Sequence, residues 1–571
     1  MSPIQFNEKS ETVQIHLVDG RTLTGPRGAA IGDFLRPLNA EHEQAPIVGA
    51  IINQELRELT FPVTMESQVE PVSMAMEDGM RIYRRSLTFL LEAAFHLVYP
   101  GEHMTIDHSV VSGGYFCQVE GRGTFTQQEL KVVEDKMRAL VKRDLPFARK
   151  QVPLSEAIAL FEKWGFTDKV RLLKHRKKDF LVLYELDDYL DYHHGYMLPS
   201  TGGLRWFNLD PIEGGFTVRF PRRHRPTEML EPMEQPKILA AFREYGRLLN
   251  LLDISSVGAL NDSITEGRVR EVILVSEALH EQRAAEVAAQ IVHGEKAAKV
   301  VLLAGPSSSG KTTFAKRLAV QLLAFGVSPF ALELDRFFVD RDKTPVDERG
   351  EFDFEHLDAV DRPRLNHDMR KLIAGERVRL PHYNFLTGKS DEGAEMQLLP
   401  GQVVIIEGIH GLNPDLLPEI PEEKTFRIYL SALTQLNLDS HNRVSTTDTR
   451  LVRRIVRDAR ERGYGPAETI RRWESVRRGE KRFIFPYQGH ADAIFNSALV
   501  YELAALRPLA EPLLRQVPFG TREHIEVKRL LALLEWFLPL DPDLIPDNSL
   551  LREFIGGSIL SDFTVWRNGH K

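Results

Sequence analysis

The feature that most constrains this chain lies past its midpoint. Lys299-Val300-Val301-Leu302-Leu303-Ala304 is a short β-branched and leucine run, the pattern of a strand buried on both faces. It passes directly into Gly305-Pro306-Ser307-Ser308-Ser309-Gly310-Lys311-Thr312-Thr313 and then into a helical pattern from Phe314 to Phe325, with Leu318, Leu322 and Leu323 apolar and Gly326 at its end. Strand, glycine-bounded loop and helix in this order are the setting in which G-x-x-x-x-G-K-[ST] cradles phosphate. Gly305 and Gly310 let the main chain curl so that successive N–H groups face one anion, and the helix N-terminus adds its positive end. Lys311 then reaches the β- and γ-phosphates, and the Thr312 hydroxyl reaches Mg²⁺. A Gly/Ser turn matching by chance would lack the flanking strand and helix. The chain is expected to bind a nucleoside triphosphate along Gly305–Thr313.

Downstream residues narrow the chemistry. Phe330–Leu334 reads as the next strand and ends in Asp335-Arg336-Phe337-Phe338. A carboxylate at the C-terminal end of a parallel strand sits where open α/β sheets bind ligands. Asp335 could there accept a proton from a hydroxyl that attacks the γ-phosphate, or could simply cap the loop. Gln402–Gly408 is another buried strand ending in an acid; Glu407 suits a Mg²⁺-holding role, with loop capping as the alternative. No Asn-Lys-x-Asp guanine-reading sequence follows, which counts against a GTPase. Phe426–Ser431 and Ala493–Ser497 add two strands, so at least five alternate with helices, as in a doubly wound parallel sheet. Between them, Arg443 to Arg482 holds 13 Arg/Lys against 6 Asp/Glu inside a chain of net charge −8. Arg450, Arg454 and Arg457 recur at helical spacing and share a face, flanked by Arg453 and Arg460. Such a face is expected to act as a lid that brings guanidinium groups onto a transferring phosphoryl group, rather than as a plain solvated face.

The rest of the chain excludes several classes. With 571 residues, several domains are expected. The net charge of −8 rules out a global polycation that would coat nucleic acid or an anionic membrane. A lone cysteine, Cys117, forms neither an intramolecular disulfide nor a cysteine zinc cage. Met1–Ser10 has no apolar run, so no signal peptide is expected. The best membrane candidate, Leu87–Tyr99, is short and carries Glu92 and His96. A cytoplasmic protein without membrane contact is the expectation.

The first ~80 residues read as a small α+β module: an alternating strand at Val13–Val18, a turn at Asp19-Gly20, a short amphipathic stretch at Ala30–Leu38, and strands at Ile47–Asn53 and Glu58–Phe61. Residues 84 to about 230 carry a helix at Ser86–Val98, a strand at Gly114–Val119 and a helix at Gln127–Lys142 with Thr126 as N-cap. Helices follow from Gln235 to His293, broken around Asp253–Gly267, with Gly294 as the closing C′ residue.

Taken together, Ala297 to Glu502 resembles the uridine kinase and phosphoribulokinase group of P-loop kinases. Asp335-Arg336-Phe337-Phe338 is similar to that group's Asp-Ser-Phe-Tyr, whose Asp is the catalytic base. Asp353-Phe354-Glu355-His356-Leu357-Asp358-Ala359 is similar to its Asn-Phe-Asp-His-Pro-Asp-Ala, placing Glu355 at the ribose-binding position. Pro381-His382-Tyr383-Asn384-Phe385 is similar to Pro-x-Tyr-Asp-Phe and puts Tyr383 at the base-contacting Tyr. Ile406-Glu407-Gly408 matches Phe-Glu-Gly. Asp448–Arg454, Arg457-Asp458 and Glu461-Arg462-Gly463 resemble its arginine lid. Three positions depart: Gly388 stands where a pyrimidine-reading His belongs, Tyr464 replaces a second lid arginine, and Arg472 replaces a Gln and could favour an acceptor that already carries phosphate.

The N-terminal module resembles the ubiquitin-like TGS module of threonyl-tRNA synthetases, and the second unit resembles their second additional, editing domain. The editing His-x-x-x-His positions fall on Arg85 and Phe89 and the later pair on His193 and Met197. A Phe and a Met hold no zinc, so the resemblance implies a retained fold with a lost site, and His193 and His194 are expected to be surface or structural. The expected division is a TGS-like β-grasp module at 1–82, an editing-like domain at 83–230, a helical connector at 231–294, a P-loop uridine kinase-like domain at 295–505 and a helical extension at 506–571.

The resulting expectation is an ATP- and Mg²⁺-dependent kinase acting on a hydroxyl of a nucleoside-like small molecule, uridine or cytidine first. Gly305, Pro306, Ser307, Ser308, Ser309, Gly310, Lys311, Thr312 and Thr313 bind the nucleotide, and Thr312 and Glu407 hold Mg²⁺. Asp335, Lys311, Arg454, Arg457 and Arg462 act in catalysis, while Glu355 and Tyr383 hold the acceptor. A kinase of nucleoside monophosphates, or an ATP-switched protein gripping tRNA through its N-terminal units, are the alternatives; oligomeric state stays open.

Overall fold

The computed structural model of the chain describes residues 10–110, 113–232, 236–346, 350, 352–434 and 436–563. Its organising element is a five-stranded sheet that begins with β1 (Val300–Ala304), every residue of which is buried. The chain continues through α1 (Lys311–Ala324), β2 (Pro329–Glu333), β3 (Val403–Glu407), β4 (Thr425–Ser431), α2 (Thr446–Arg457), α3 (Pro466–Phe483) and β5 (Ala493–Asn496). Strand order is β2-β3-β1-β4-β5 and every pairing is parallel. The chain leaves β1 toward one side and later returns on the other, so the crevice at the C-terminal end of β1 is the topological switch point of the sheet. Register pairs Leu303 with Glu407 and Glu407 with Glu333, which gathers the ends of β1, β2 and β3 at that crevice. The sheet is the α/β doubly wound fold that the sequence pattern implies.

The connector before β1 is three helices, Pro236–Leu251, Val257–Thr265 and Val269–His293. The expected break at Asp253–Gly267 therefore contains a helix. Ser256 is its N-cap, accepting from the Ala259 amide, so Ser255-Ser256 marks a start and not an interruption. Gly294 does end the last helix, but with φ −70 it is extended rather than left-handed. A Cβ there would overlap the Gln290 carbonyl, and close approach is what requires glycine.

The N-terminal unit is a mixed sheet in the order Thr22–Pro26, Thr12–Leu17, Ser67–Ser73, Ile47–Ile52, Glu55–Arg57, covered by the short helix Ile31–Leu35. Asp19-Gly20 forms the expected hairpin turn, with Gly20 at φ +90. Glu58–Phe61 is not a strand. The strand lies just before it at Glu55–Arg57, across a tight turn in which Asn53 and Gln54 are left-handed. The Leu59 and Phe61 carbonyls instead accept from Gly32 and Ile31 at the start of the covering helix.

The second unit starts its first helix at Glu77 rather than Ser86 and holds the strand Gly114–Val119 as expected. Its helix Gln127–Arg143 opens on a full capping box between Thr126 and Glu129. This unit grips the loop between β4 and α2. The Ile106 amide donates to the Ser440 carbonyl at 2.8 Å, and Asn437 Nδ2 donates to the carbonyls of Ile106 and Asp107. Lys169, fully buried, lies 3.0 Å from both Asp191 of its own unit and Asp439 of the loop, and His441 Nδ1 is 2.6 Å from Asp191. Among the described residues no helix is long and apolar enough to cross a membrane. The sequence reading of residues 1–9 and the connector's start at Gln235 lie outside the described residues.

Removing one partner of a fully buried ion network leaves uncompensated charge in a low-dielectric site. Lys169→Met is expected to lower unfolding stability by about 3–5 kcal/mol, read from urea denaturation curves. A loss below about 1 kcal/mol would show that the network is not buried as described.

Candidate active site

The loop after β1 is shaped as an anion cradle. Ser308 and Gly310 both take left-handed backbone conformations, at φ 57 and 95. A Cβ on Gly305 would overlap the Leu430 carbonyl of β4, so glycine is needed there to let the loop leave the sheet closely packed. The Ser308 and Ser309 hydroxyls are buried without a hydrogen-bond partner, and the first-turn amides of α1 have no intrahelical acceptor. Unsatisfied donors in a glycine-bounded loop fit a polyphosphate group. Lys311 Nζ is folded back onto the Gly305 and Pro306 carbonyls at 2.8 and 3.2 Å. Burial pushes its ammonium below the ordinary lysine range, opposed by Glu407, Glu553 and Glu480.

Beside the loop stand the expected carboxylates. Thr312 Oγ1 donates to Glu407 Oε1 at 3.1 Å, while Glu407 Oε2 is buried and unpartnered. Burial pushes Glu407 up to about 7 despite Lys311. A hydroxyl and an orphaned carboxylate oxygen side by side fit a divalent cation with oxygen ligands. Asp335 lies in a 3-10 turn, Leu334–Phe337, directly after β2. Burial and then Glu333 raise its carboxyl above the usual value, with Lys311 and Arg462 acting against the rise. Glu355 is raised to about 8, by burial first and then by Glu480 and Asp353, with Arg454 and Arg478 opposing. Its carboxylate presses on the backbone of α3 at Gly479, where any Cβ would collide with Oε2. Tyr383, on the strand Val378–Asn384, is buried with its hydroxyl unpartnered and meets Phe338 and Phe385 edge-on at 5.7 and 5.0 Å.

The arginine-rich segment is two helices, α2 and α3, joined by one wide helical turn at Asp458–Arg462 and by Gly463 at φ 67. Its arginines divide in a way the helical spacing did not foretell. Arg450, expected on the lid face, is fully buried and paired with Glu480. Arg453 is buried against Glu502 at 2.5 Å. Arg454 donates to the Ser307 hydroxyl at 2.8 Å, and Arg454, Arg457 and Arg462 lie 3.1, 3.0 and 3.7 Å from Asp458. One carboxylate among three guanidiniums leaves excess positive charge beside the loop. Arg472 stacks on Tyr464 at 4.4 Å and pairs with Glu468 at 2.7 Å. Gly388 is left-handed at φ 70, and the Arg341 side chain fills the space beside it.

Two residues of the site escape the sequence pattern. Glu480 accepts from the Ser307 amide at 3.0 Å, and Glu553 accepts from the Thr313 amide at 3.1 Å. Burial alone would raise Glu480, but Arg450, Arg477 and the Ser307 amide together hold the carboxyl low. Neither belongs to a motif: Glu480 lies in a basic stretch and Glu553 in the C-terminal extension. Of the editing positions, His193 is structural, its Nε2 3.0 Å from Glu92 and its ring edge-on to Phe89 at 5.3 Å. Arg85 donates to the Tyr196 carbonyl at 2.6 Å, and the Met197 amide donates to Glu58. Glu92, Asp191 and His193 bring potential ligand atoms within 4.8 Å of one another, but the Lys169 ammonium and His441 Nδ1 already contact Asp191.

Residues 300–504 match the Phosphoribulokinase / Uridine kinase family. The N-terminal region matches threonine–tRNA ligases. That of Citrifermentans bemidjiense is 31% identical over 204 residues, covering 36% of this chain and 32% of the ligase. That of Bacillus velezensis is 28% identical over 208 residues, again covering 36% and 32%. The chain thus spans about a third of the length of these curated relatives. Among solved structures, a protein described as a possible uridine kinase from Bacillus stearothermophilus aligns with TM-score 0.27 and 20% identity, covering 38% of this chain and 98% of that one. D-glycerate 3-kinase from Cryptococcus neoformans aligns with TM-score 0.18 and 17% identity, covering 49% and 89%.

The raised Glu355 carboxyl sets a sign for pH dependence. Its favourable contribution is full below the ordinary value of 4.5 and is lost as pH rises through about 8. Between pH 5 and 9 the unliganded protein should lose thermal stability, and Glu355→Gln should flatten that decline. Parallel Tm-against-pH curves for the two proteins would contradict the assigned environment.

Proposed function

We propose that this chain is an ATP- and Mg²⁺-dependent kinase that moves the γ-phosphoryl group to a hydroxyl of a nucleoside-like small molecule, uridine or cytidine first. The observation that carries the proposal is that the cradle Gly305–Thr313 and the carboxylate Asp335 both follow the C-terminal ends of strands of one parallel sheet, inside a segment that matches a kinase family. In this scheme the loop amides and Lys311 bind the triphosphate, with Lys311 turning from the Gly305 and Pro306 carbonyls to the β/γ-oxygens. Thr312 and Glu407 would hold Mg²⁺, which when bound offsets phosphate charge. Asp335 takes the proton from the acceptor hydroxyl as that oxygen bonds to the γ-phosphorus and the bond to the ADP oxygen breaks. Arg454, Arg457 and Arg462 stabilise the charge spread over the transferring group. Glu355 and Tyr383 orient the acceptor, with Phe385, more than half exposed, as a surface on which a planar ring could stack.

The five-unit division near residues 82, 230, 294 and 505 and a cytoplasmic setting belong to the same proposal. The threonine–tRNA ligase likeness motivates the rival assignment, an ATP-switched protein that grips tRNA. Its mark would be tRNA affinity falling steeply with salt and no phosphorylated product from a nucleoside panel.

Turnover should vanish in Lys311→Ala. In Asp335→Asn, kcat with a nucleoside should fall by roughly 10²–10⁴-fold. A nucleoside monophosphate attacks through an already ionised phosphate, so near-normal turnover of that substrate by Asp335→Asn would replace the hydroxyl acceptor with a phosphate one.

A further inference from the structure

The carboxylate on the first turn of α1 comes from the far C-terminal end of the chain. Glu553 lies in the four-residue helix Arg552–Ile555 and accepts from the Thr313 amide at 3.1 Å. Three further contacts fix its segment on the loop. The Leu550 side chain rests on Gly310, where any Cβ would overlap it. Lys316, on α1, donates to the Leu560 and Ser561 carbonyls at 2.7 and 2.8 Å. Arg460 donates to the Glu553 carbonyl at 3.1 Å and lies against Gly556. Leu550, Leu551 and Phe554 are buried, and the Arg453 guanidinium lies 5.0 Å from the Phe554 ring.

We infer that the Glu553 carboxylate is a built-in occupant of the phosphate cradle, holding an amide that a phosphate oxygen needs, so that nucleotide enters only as that carboxylate withdraws. The inference rests on the proposed use of the loop as the triphosphate site. A carboxylate oxygen and a phosphate oxygen cannot both take the Thr313 amide, and two like charges at one helix N-terminus repel. Without nucleotide, Glu553 answers the positive end of α1 and the Lys311 ammonium. With nucleotide, its charge opposes binding. Leu550, Leu551 and Phe554 sit in the core shared with the sheet, so what withdraws is the Glu553 carboxylate and the stretch at left-handed Gly556 and Gly557 (φ 91 and 69), not those three side chains. That withdrawal also reaches the arginines: Arg460, whose guanidinium holds the Glu553 carbonyl, sits in the wide turn Asp458–Arg462 that follows Arg457 and carries Arg462.

The test compares the full-length wild type with Glu553→Gln and Glu553→Ala by calorimetric titration of MgADP, alongside hydrogen exchange of the wild type with and without MgADP. Both variants should bind about tenfold more tightly, the scale of one charge-assisted hydrogen bond lost from the closed state. In the wild type, amides 553–557 should exchange faster once MgADP saturates the site. Equal Kd values with unchanged exchange would overturn the gate and leave the nucleotide site standing. Weaker binding by the variants, or a fall in kcat at constant Kd, would make Glu553 part of the working site and also overturn it. If neither wild type nor variants bind MgADP, the triphosphate site falls and the gate with it.

Discussion

The structure turns on a small set of backbone N–H groups that secondary structure cannot satisfy. At the β1–α1 turn the chain leaves a fully buried strand and enters a helix whose first amides have no partner above them. Two left-handed residues, Ser308 and Gly310, aim that turn inward, and two buried serine hydroxyls add further unmet donors. Such a concentration of donors demands negative charge. It is met by protein carboxylates, Glu480 at one end of the loop and Glu553 at the other. Nucleotide binding, as proposed, exchanges the Glu553 carboxylate for a polyphosphate while Glu480 stays sealed against Arg450.

The arginine-rich helices show how the same charge logic sorts residues of one type into different tasks. Arg450 and Arg453 are sealed against Glu480 and Glu502 and brace the loop from beneath. Arg454, Arg457 and Arg462 share the single carboxylate of Asp458 and keep surplus charge near the loop. The second unit adds a mechanical constraint, because its Lys169 and Asp191 hold Asp439 and His441 just ahead of α2. The segment ahead of the arginine helices is thereby tied to a unit that a sequence comparison relates to threonine–tRNA ligases, and Phe89 and His193 of that unit are packed against each other.

Much of this is legible in the amino-acid order alone. The run Val300–Ala304, the glycine spacing and the acids closing β2 and β3 each follow from local physics: burial on both faces, backbone curvature, and charge at strand ends. What escaped depends on long-range partners. Helical spacing placed Arg450 beside Arg454 but could not show that Glu480, thirty residues on, would seal only one of them. Glu553 approaches Thr313 from across the fold, and no local pattern announces such a contact. Leu59 and Phe61 looked like a strand because their alternation is right, yet their carbonyls serve a helix start. In Ser67–Ser73 polar residues and a proline disguise a central strand. The Ser255-Ser256 pair reads equally well as a break or a cap until the following turn is seen.

The central claim is that the amides of Gly305–Thr313 grip a polyphosphate tail beside Asp335. The most direct measurement is a crystal structure of the full chain with Mg²⁺ and a non-hydrolysable ATP analogue. The account predicts phosphate density within hydrogen-bond distance of the Ser308–Thr313 amides, Lys311 turned off the Gly305 and Pro306 carbonyls, and the terminal phosphate facing Asp335. Analogue bound elsewhere, with Lys311 still on those carbonyls and Asp335 turned into packed side chains, would contradict it.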